Sequence, residues 1–205
     1  MKELLIATTN PAKFAEYGVL LRDFGLRLIS LRDAGITAEA PEGAPTFAEN
    51  ARQKARFYFD IAALPTLADD GGLEVDALGG APGVRSHRWL GDNVDDRALA
   101  EEVVRRLAGV EAARRTARLR AAAALIRYDG GSIRETATEA ALEGIIAERV
   151  YPEIHPGFPY RSVLYLPERG CYLAEVDDEE AAVNLSQRRI AVDRLADDLR
   201  RLAIG

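Results

Sequence analysis

The chain has 205 residues, 48% of them hydrophobic, with 27 Lys or Arg against 33 Asp or Glu and a net charge of −6 at pH 7. This length and apolar content predict one domain over residues 1–205, divided at most into two lobes. The negative charge argues against a surface that coats a nucleic-acid polymer or an anionic membrane. No apolar run approaches the roughly 20 residues of a membrane-spanning helix, so we expect a cytoplasmic protein.

The cysteine and histidine content limits the metal chemistry. The chain has one cysteine, Cys171, and two histidines, His87 and His155. A single cysteine excludes an internal disulfide and fits a reducing compartment. Two imidazoles are a poor basis for a zinc site, so a bound metal is expected to be a hard cation on carboxylates.

The first strand and helix are predicted from residues 4–7, an apolar run typical of a buried strand, and from the helix signals that follow. Asn10 is expected to cap a helix whose first position is Pro11 and which ends near residue 22. Lys13 falls in the first turn, where the helix dipole disfavours a cation. A helix N-terminus flanked by Thr8, Thr9 and a lysine can receive a phosphate. The alternative is that the lysine is solvated at the surface.

A second strand is predicted at residues 26–30, followed by a polar stretch that carries Glu42 and then by a helix over residues 46–64. Thr46 and Glu49 form the pattern of a capping box, which gives Glu49 a structural role. Lys54 lies two turns further in, where a lysine is ordinarily a solvated helix residue.

The stretch 64–86 is the most distinctive part of the chain. A short apolar run leads to Asp69 and Asp70, and Gly71 and Gly72 follow. We predict a strand that ends at the carboxylate pair and then turns, with one acid bonded within the protein and its neighbour facing a cleft, because successive strand residues point to opposite faces. A plain acidic turn is the alternative.

The rest of the chain predicts a charged amphipathic helix at residues 92–107 and two long antiparallel strands within 114–143. Those strands are joined at Asp129, Gly130 and Gly131, a hairpin signal. A strand at 163–166 and a closing helix at 179–202 complete the prediction. A strand–helix opening followed by a hairpin predicts an α/β fold with a mixed sheet.

Three segments of the chain resemble the inosine triphosphate pyrophosphatase family, whose members act on non-standard purine nucleotides. The resemblance rests on IATTNPAKFAE, TFAENARQKA and LADDGGLEVDALGGAPGVRS, the last followed by RWLG. It extends in order over essentially the whole chain. It implies two lobes around an elongated mixed sheet with a central cleft. It also implies Mg²⁺-dependent hydrolysis of a nucleoside triphosphate to a monophosphate and pyrophosphate, in a homodimer.

The resemblance also implies roles for particular residues. Thr8, Asn10 and Lys13 match the family's phosphate-binding loop, and Lys54 matches its second phosphate-binding lysine. Glu42 takes the place of a metal ligand, and Asp70 that of the acid that binds metal and activates water. Metal, cations and a carboxylate are what phosphoryl hydrolysis requires.

Several positions depart from the family's pattern in the part that reads the base. Gly71 replaces a serine, Arg161 an aspartate, Gln187 a histidine and Ala182 a lysine. Replacing a carboxylate by a guanidinium exchanges an acceptor for a donor, so the accepted base stays open.

The aromatic and polar residues left in this region suggest how a base could still be bound. Phe158 or Tyr160 could stack on it, and Gln187 and Arg188 could hydrogen-bond its edge, with Arg161 making a new contact. Alternatively, the two aromatics belong to the core and Arg161 is solvated.

Three functions are therefore considered. The first is a pyrophosphatase of non-standard purine triphosphates. The second is a catalytically weak homologue that binds nucleotide, and the third is a hydrolase of the same fold with another phosphorylated substrate.

Overall fold

The computed structural model describes residues 1–92 and 94–204, whose strands form one mixed sheet. The strands are β1 Lys2–Ile6, β2 Leu26–Ser30, β3 Thr66–Val75, β4 Thr116–Asp129, β5 Ser132–Ile146, β6 Leu164–Leu166 and β7 Cys171–Tyr172. Their order is β2-β1-β3-β4-β5-β6-β7. Strand β1 pairs in parallel with β2 and β3, and β6 pairs antiparallel with β5 and β7. The predicted α/β class with a mixed sheet is confirmed.

Helices flank the sheet along the chain. They are α1 Pro11–Leu20, α2 Phe47–Ala62, α3 Asp96–Arg106, α4 Asp178–Asn184, α5 Gln187–Arg194 and α6 Ala196–Ile204. In the part of the chain that the structure describes, no helix combines the length and apolar character needed to cross a bilayer.

The chain divides into two compact units. Unit 1 contains Met1–Asp70, Ala121–Ala140 and the segment from Ser186 onward, and unit 2 contains Gly71–Arg120 and Ala141–Leu185. Strands β3, β4 and β5 contribute residues to both units. The single two-lobed domain expected over 1–205 stays a prediction.

The opening of unit 1 follows the predicted helix signals. Strand β1 buries its apolar residues, and Asn10 caps α1 by accepting the N–H groups of Ala12 (2.9 Å) and Lys13 (3.3 Å) at Oδ1. Thr46 caps α2 in the same way, through the N–H of Glu49 at 3.2 Å. Both predicted caps are confirmed.

Strand β3 differs from the prediction, because it does not stop at Asp70 but runs through both glycines to Val75. A Cβ at Gly72 would lie 2.1 Å from the hydroxyl oxygen of Ser86 and 2.8 Å from the carbonyl oxygen of Gly83. The Ser86 hydroxyl is fixed there, since it accepts the N–H of Leu73 (2.9 Å) and donates to Gly83 (2.7 Å). Gly72 therefore marks a close approach inside a strand and not a turn.

The hairpin prediction is confirmed. Strands β4 and β5 are neighbours in the sheet, joined by Gly130 and Gly131, both at positive φ. Helix α3 begins at Asp96 because Asp95 accepts the N–H of Ala98 at 2.8 Å, so the predicted beginning at residue 92 is four residues early. Position 93, within that predicted helix, lies outside the described residues.

The predicted closing helix over 179–202 is wrong in its continuity, since three shorter helices occupy this segment. The first interruption lies at Leu185 and Ser186. Ser186 adopts an extended backbone and its hydroxyl accepts the N–H of Arg188 at 3.0 Å, so it begins a new helix as an N-cap. A serine in a helical pattern is often a cap, and here it separates α4 from α5.

Candidate active site

Strand β3 carries the two acids on which the unit 1 site is built. Asp69 is 1% exposed, and its Oδ2 accepts from Lys13 Nζ at 3.1 Å and from Arg188 Nε at 2.9 Å. Burial alone would raise the pKa of Asp69, but Lys13 and Arg188 hold it well below its usual range. Asp69 is therefore an anion bonded within the protein, the first of the two roles that strand alternation predicts.

Lys13 is buried and not solvated, which excludes the surface alternative for this residue. Burial lowers its pKa, and Asp69 opposes part of that shift. The lysine is placed by the α1 cap on one side and by the β3 carboxylate on the other.

Arg188 is also buried, and a second carboxylate holds it. Its Nη1 lies 3.1 Å from Glu16 Oε2, and the Ser186 hydroxyl donates to the other oxygen of Glu16. We call Lys13, Glu16, Asp69 and Arg188 the buried ion cluster, because two cations and two anions are enclosed together. Opposite charges in equal number make such burial tolerable.

Asp70 lies in a different environment, half-buried on the same strand. Its Oδ2 accepts from the Asn50 amide at 2.9 Å. Burial raises its pKa above the ordinary value, although Lys54 and Lys13 act in the opposite direction. A carboxylate with a raised pKa beside cations is a candidate for proton transfer or cation binding.

Lys54 and Glu42 form the third part of the site. Their charged atoms are 2.5 Å apart, and Lys54 Nζ also lies 3.3 Å from the carbonyl oxygen of Asp69. Burial alone would lower the pKa of Lys54, but Glu42, Asp69 and Asp70 together outweigh it and the pKa is raised. Lys54 is thus not an ordinary solvated helix lysine, in agreement with the role that the resemblance implies.

In the loop before α1, side chains of the loop itself accept hydrogen bonds from several backbone N–H groups. Thr8 Oγ1 accepts the N–H of Asn10 at 3.2 Å, while the Asn10 side chain occupies the N–H groups of Ala12 and Lys13. Thr9 is exposed. The free helix N–H groups expected for a phosphate are therefore partly taken by the cap.

The acids of unit 1 include possible ligands for a hard cation. In residues 1–92 and 94–204 no group of three or more His, Cys, Asp or Glu side chains could hold a metal. Magnesium, however, is usually bound by one or two carboxylates together with substrate phosphates and water. Asp70 has the raised pKa that a nearby cation would lower, and Glu42 is bonded to the lysine that acts on Asp70. These residues fit a cation whose shell is completed by phosphate oxygens.

Unit 2 holds the residues predicted to stack on a base. Tyr160 is buried, and its hydroxyl donates to the carbonyl oxygen of Ser86 at 2.6 Å. Arg161 is buried as well, with Nη1 2.7 Å from Asp178 and its guanidinium carbon 4.2 Å from the ring centre of Phe158. The alternative of a solvated Arg161 is therefore wrong, whereas Tyr160 does belong to the core.

The other predicted base-contacting residues are distributed between the units. Gly71 lies within β3, Ala182 is buried on α4, and Gln187 and Arg188 are buried at the beginning of α5. Their roles toward a substrate stay predictions.

Two site residues escaped the sequence analysis. Glu16 lies three positions after Lys13 and so on the same helix face, and Asn50 precedes Lys54 by one turn in the same way. The rarity of lysine in this sequence could also have indicated the site. The chain has only three lysines among its 27 basic residues, and two of them are Lys13 and Lys54. In a chain that otherwise uses arginine, a buried lysine indicates a need for a compact charge.

Unit 1 thus brings together, on an α/β fold, two lysines, a half-buried acid and a second carboxylate. The profile of the Ham1 family matches residues 4–198. This chain belongs to the Ham1 family, which confirms the resemblance found in its motifs.

Named relatives and solved structures match nearly the whole chain. A dITP/XTP pyrophosphatase of Geobacillus kaustophilus is 41% identical over 196 residues, 95% of this chain and 93% of the relative. One from Bacillus subtilis is 39% identical and covers 96% of each chain. Among solved structures, a HAM1 protein from Coxiella burnetii has a TM-score of 0.82 at 32% identity, covering 98% of this chain and 100% of its own.

Proposed function

We propose that this protein hydrolyses non-standard purine nucleoside triphosphates, such as those of inosine and xanthosine, to the monophosphate and pyrophosphate. The observation that carries the proposal is the assembly of Lys13, Lys54, Glu42 and Asp70 in unit 1. The names of relatives that cover nearly the whole chain support the same substrate class.

Glu42 and Asp70 would hold Mg²⁺ in this proposal. Bound there with the phosphates, the ion would neutralise charge on the phosphate oxygens and lower the pKa of a water. Oε1 of Glu42 is 2.5 Å from Lys54 Nζ, so this acid lies directly beside a lysine assigned to the phosphates.

The remaining groups bind and orient the triphosphate. Lys13 and Lys54 supply positive charge to its non-bridging oxygens, with Thr8, Thr9 and Asn10 lining the loop beside them. Asp70 orients a water and accepts its proton as the water oxygen bonds to the α-phosphorus, while the bond from that phosphorus to its bridging oxygen breaks and pyrophosphate leaves. Asp70 is suited to this role by its place, half-buried on β3 and held by the Asn50 amide at 2.9 Å.

Hydrogen bonds to the edge of the base are assigned to Gln187 and Arg188 of unit 1. In unit 2, Tyr160 is unsuited to stacking, because it is buried with its hydroxyl bonded in the core. Gly71 offers no hydroxyl to the substrate, and Arg161 is held by Asp178. A homodimer is part of the proposal and is tested by light scattering.

A pyrophosphate-release screen tests this function. Purified protein with Mg²⁺ is assayed against ITP, XTP and dITP and against ATP, GTP, CTP and UTP. We expect release from the first three at least about tenfold faster than from the standard nucleotides. Thermal stabilisation by nucleotide without product would instead support a binding homologue, and inactivity toward all seven would leave another phosphorylated substrate.

A further inference from the structure

The buried ion cluster holds Arg188 at two of its nitrogen atoms. Nε lies 2.9 Å from Asp69 Oδ2, and Nη1 lies 3.1 Å from Glu16 Oε2. The side chains of all three are at most 5% exposed. Because a guanidinium is planar and its donors are fixed in a fork, two carboxylates from α1 and β3 leave it essentially one orientation.

Asp69 acts on a second cation as well. The same Oδ2 that accepts from Arg188 lies 3.1 Å from Lys13 Nζ. One buried oxygen therefore fixes both an arginine assigned to the base and a lysine assigned to the phosphates.

Glu16 has a different set of partners. Besides Arg188 it accepts from the Ser186 hydroxyl, and that hydroxyl also caps α5 through the N–H of Arg188. Glu16 thus acts on the side chain and on the backbone of Arg188, whereas the ion pair of Lys13 is made with Asp69.

We propose that Asp69 and Glu16 are positioning residues for different cations: Asp69 positions both Lys13 and Arg188, and Glu16 positions Arg188. This inference rests on the proposed function, since it assigns the two cations to opposite ends of one nucleotide. Neither carboxylate is required to touch the substrate. Together they make recognition of the base depend on the same buried cluster that places a phosphate-binding lysine.

Two ligands distinguish effects on base binding from effects on phosphate binding. ITP presents a base and a triphosphate, whereas inorganic tripolyphosphate presents the phosphates alone. Turnover of ITP is measured as kcat/KM, and binding of tripolyphosphate is measured by calorimetry in Mg²⁺ buffer, which requires no catalysis.

The expected pattern differs between the two variants. Glu16→Gln should lower kcat/KM for ITP by about tenfold or more, as expected for the loss of a charged hydrogen bond, with the tripolyphosphate Kd within about twofold of wild type. Asp69→Asn should lower kcat/KM and also weaken tripolyphosphate binding by about tenfold or more. An equal loss with both ligands in Glu16→Gln would mean a merely structural role and would overturn the proposal.

A double-variant cycle guards against misfolding. In an Arg188→Gln background, Glu16→Gln is expected to have no further effect on ITP turnover, because the residue that Glu16 is proposed to position has been removed. This double variant also leaves no unpaired charge from the Glu16–Arg188 pair. A further loss of about tenfold in that background would contradict the inference.

Asp193→Asn serves as the matched control. It removes an exposed acid of α5, the helix that carries Arg188, where it is paired with Arg189 at 2.9 Å. This variant should leave kcat/KM for ITP and the Kd of tripolyphosphate unchanged. If wild-type protein hydrolyses no ITP, the proposed function fails. If it hydrolyses ITP and Glu16→Gln behaves as wild type, only the positioning role fails.

Discussion

The surroundings of Asp69 and of Asp70 differ although the residues are adjacent. On the Asp69 side, a buried carboxylate is bonded to Lys13 and Arg188, and burial is offset by charge. On the Asp70 side, a half-buried carboxylate has one amide donor from Asn50 and a raised pKa.

This difference separates an acid whose charge the protein balances from the acid that we propose to be reactive. The charge of Asp69 is balanced by the protein, so it stabilises the fold at neutral pH. The charge of Asp70 is not balanced to the same degree, so it is available to a cation or a proton from outside. Strand alternation turns the two acids to opposite faces, and the partners on each face make their surroundings differ.

The largest effect is expected on kcat when Asp70 itself is replaced. Asp70→Asn should lower kcat by about 10³-fold or more, because the proton acceptor is lost. Release of pyrophosphate from ITP measures it. Activity close to wild type would contradict the role of Asp70.

The same variant should not lose stability. Because burial raises the pKa of Asp70 in the folded protein, its ionised form destabilises the fold at pH 7. Replacing it with the neutral amide is expected to raise Tm by about 2 °C. A fall of several degrees in calorimetry would show that Asp70 supports the fold as Asp69 does.

Changing the Asp69 side should affect stability most. Asp69→Asn leaves Lys13 and Arg188 without a shared anion, and we expect a loss of about 3–5 kcal/mol in the free energy of unfolding at pH 7. Urea unfolding at several pH values measures it.

The pH dependence of that loss has a definite sign. The pKa of Asp69 is lower in the folded than in the unfolded protein, so its contribution is complete above the unfolded pKa and is lost as pH falls through the folded one. The difference between wild type and Asp69→Asn should therefore narrow only below about pH 4. A difference that narrows between pH 8 and 6 would contradict this account.

A smaller effect is expected from exchanging a site lysine for arginine. Lys54→Arg keeps the charge but places a broad guanidinium where a compact ammonium lies 2.5 Å from Glu42. We expect kcat/KM for ITP to fall by about tenfold. Lys2→Arg, at an exposed position, is the matched control and should be neutral.

The smallest effect on stability is expected for the Arg161–Asp178 ion pair of unit 2, whose surroundings differ from those of both Asp69 and Asp70. Arg161 is buried, but its partner Asp178 is 73% exposed. Asp178→Asn should therefore change the free energy of unfolding by no more than about 1 kcal/mol. A loss as large as that of Asp69→Asn would mean that exposure of one partner does not weaken the pair.

Local patterns in the sequence determined much of this fold. The caps at Asn10 and Thr46, strand β2 and the hairpin at Gly130 and Gly131 follow from residues within a few positions of one another. Capping and turn formation depend on nearby backbone groups, so a short window contains the necessary information. Lys13, Lys54 and Asp70 could also be identified from short windows, because each lies in a sequence motif that resembles the family's.

Only the tertiary structure decided which partner each of these residues has. Position 72 of the strand requires glycine because Ser86, 14 positions away, fills the space that a side chain would occupy. Glu16 belongs to the site because Arg188, 172 positions away, donates a hydrogen bond to it. The sequence determined that the chain carries two adjacent acids and two rare lysines. The folded contacts decided that one acid is neutralised by the protein and the other is not, because burial and charge balance depend on residues that meet only after folding.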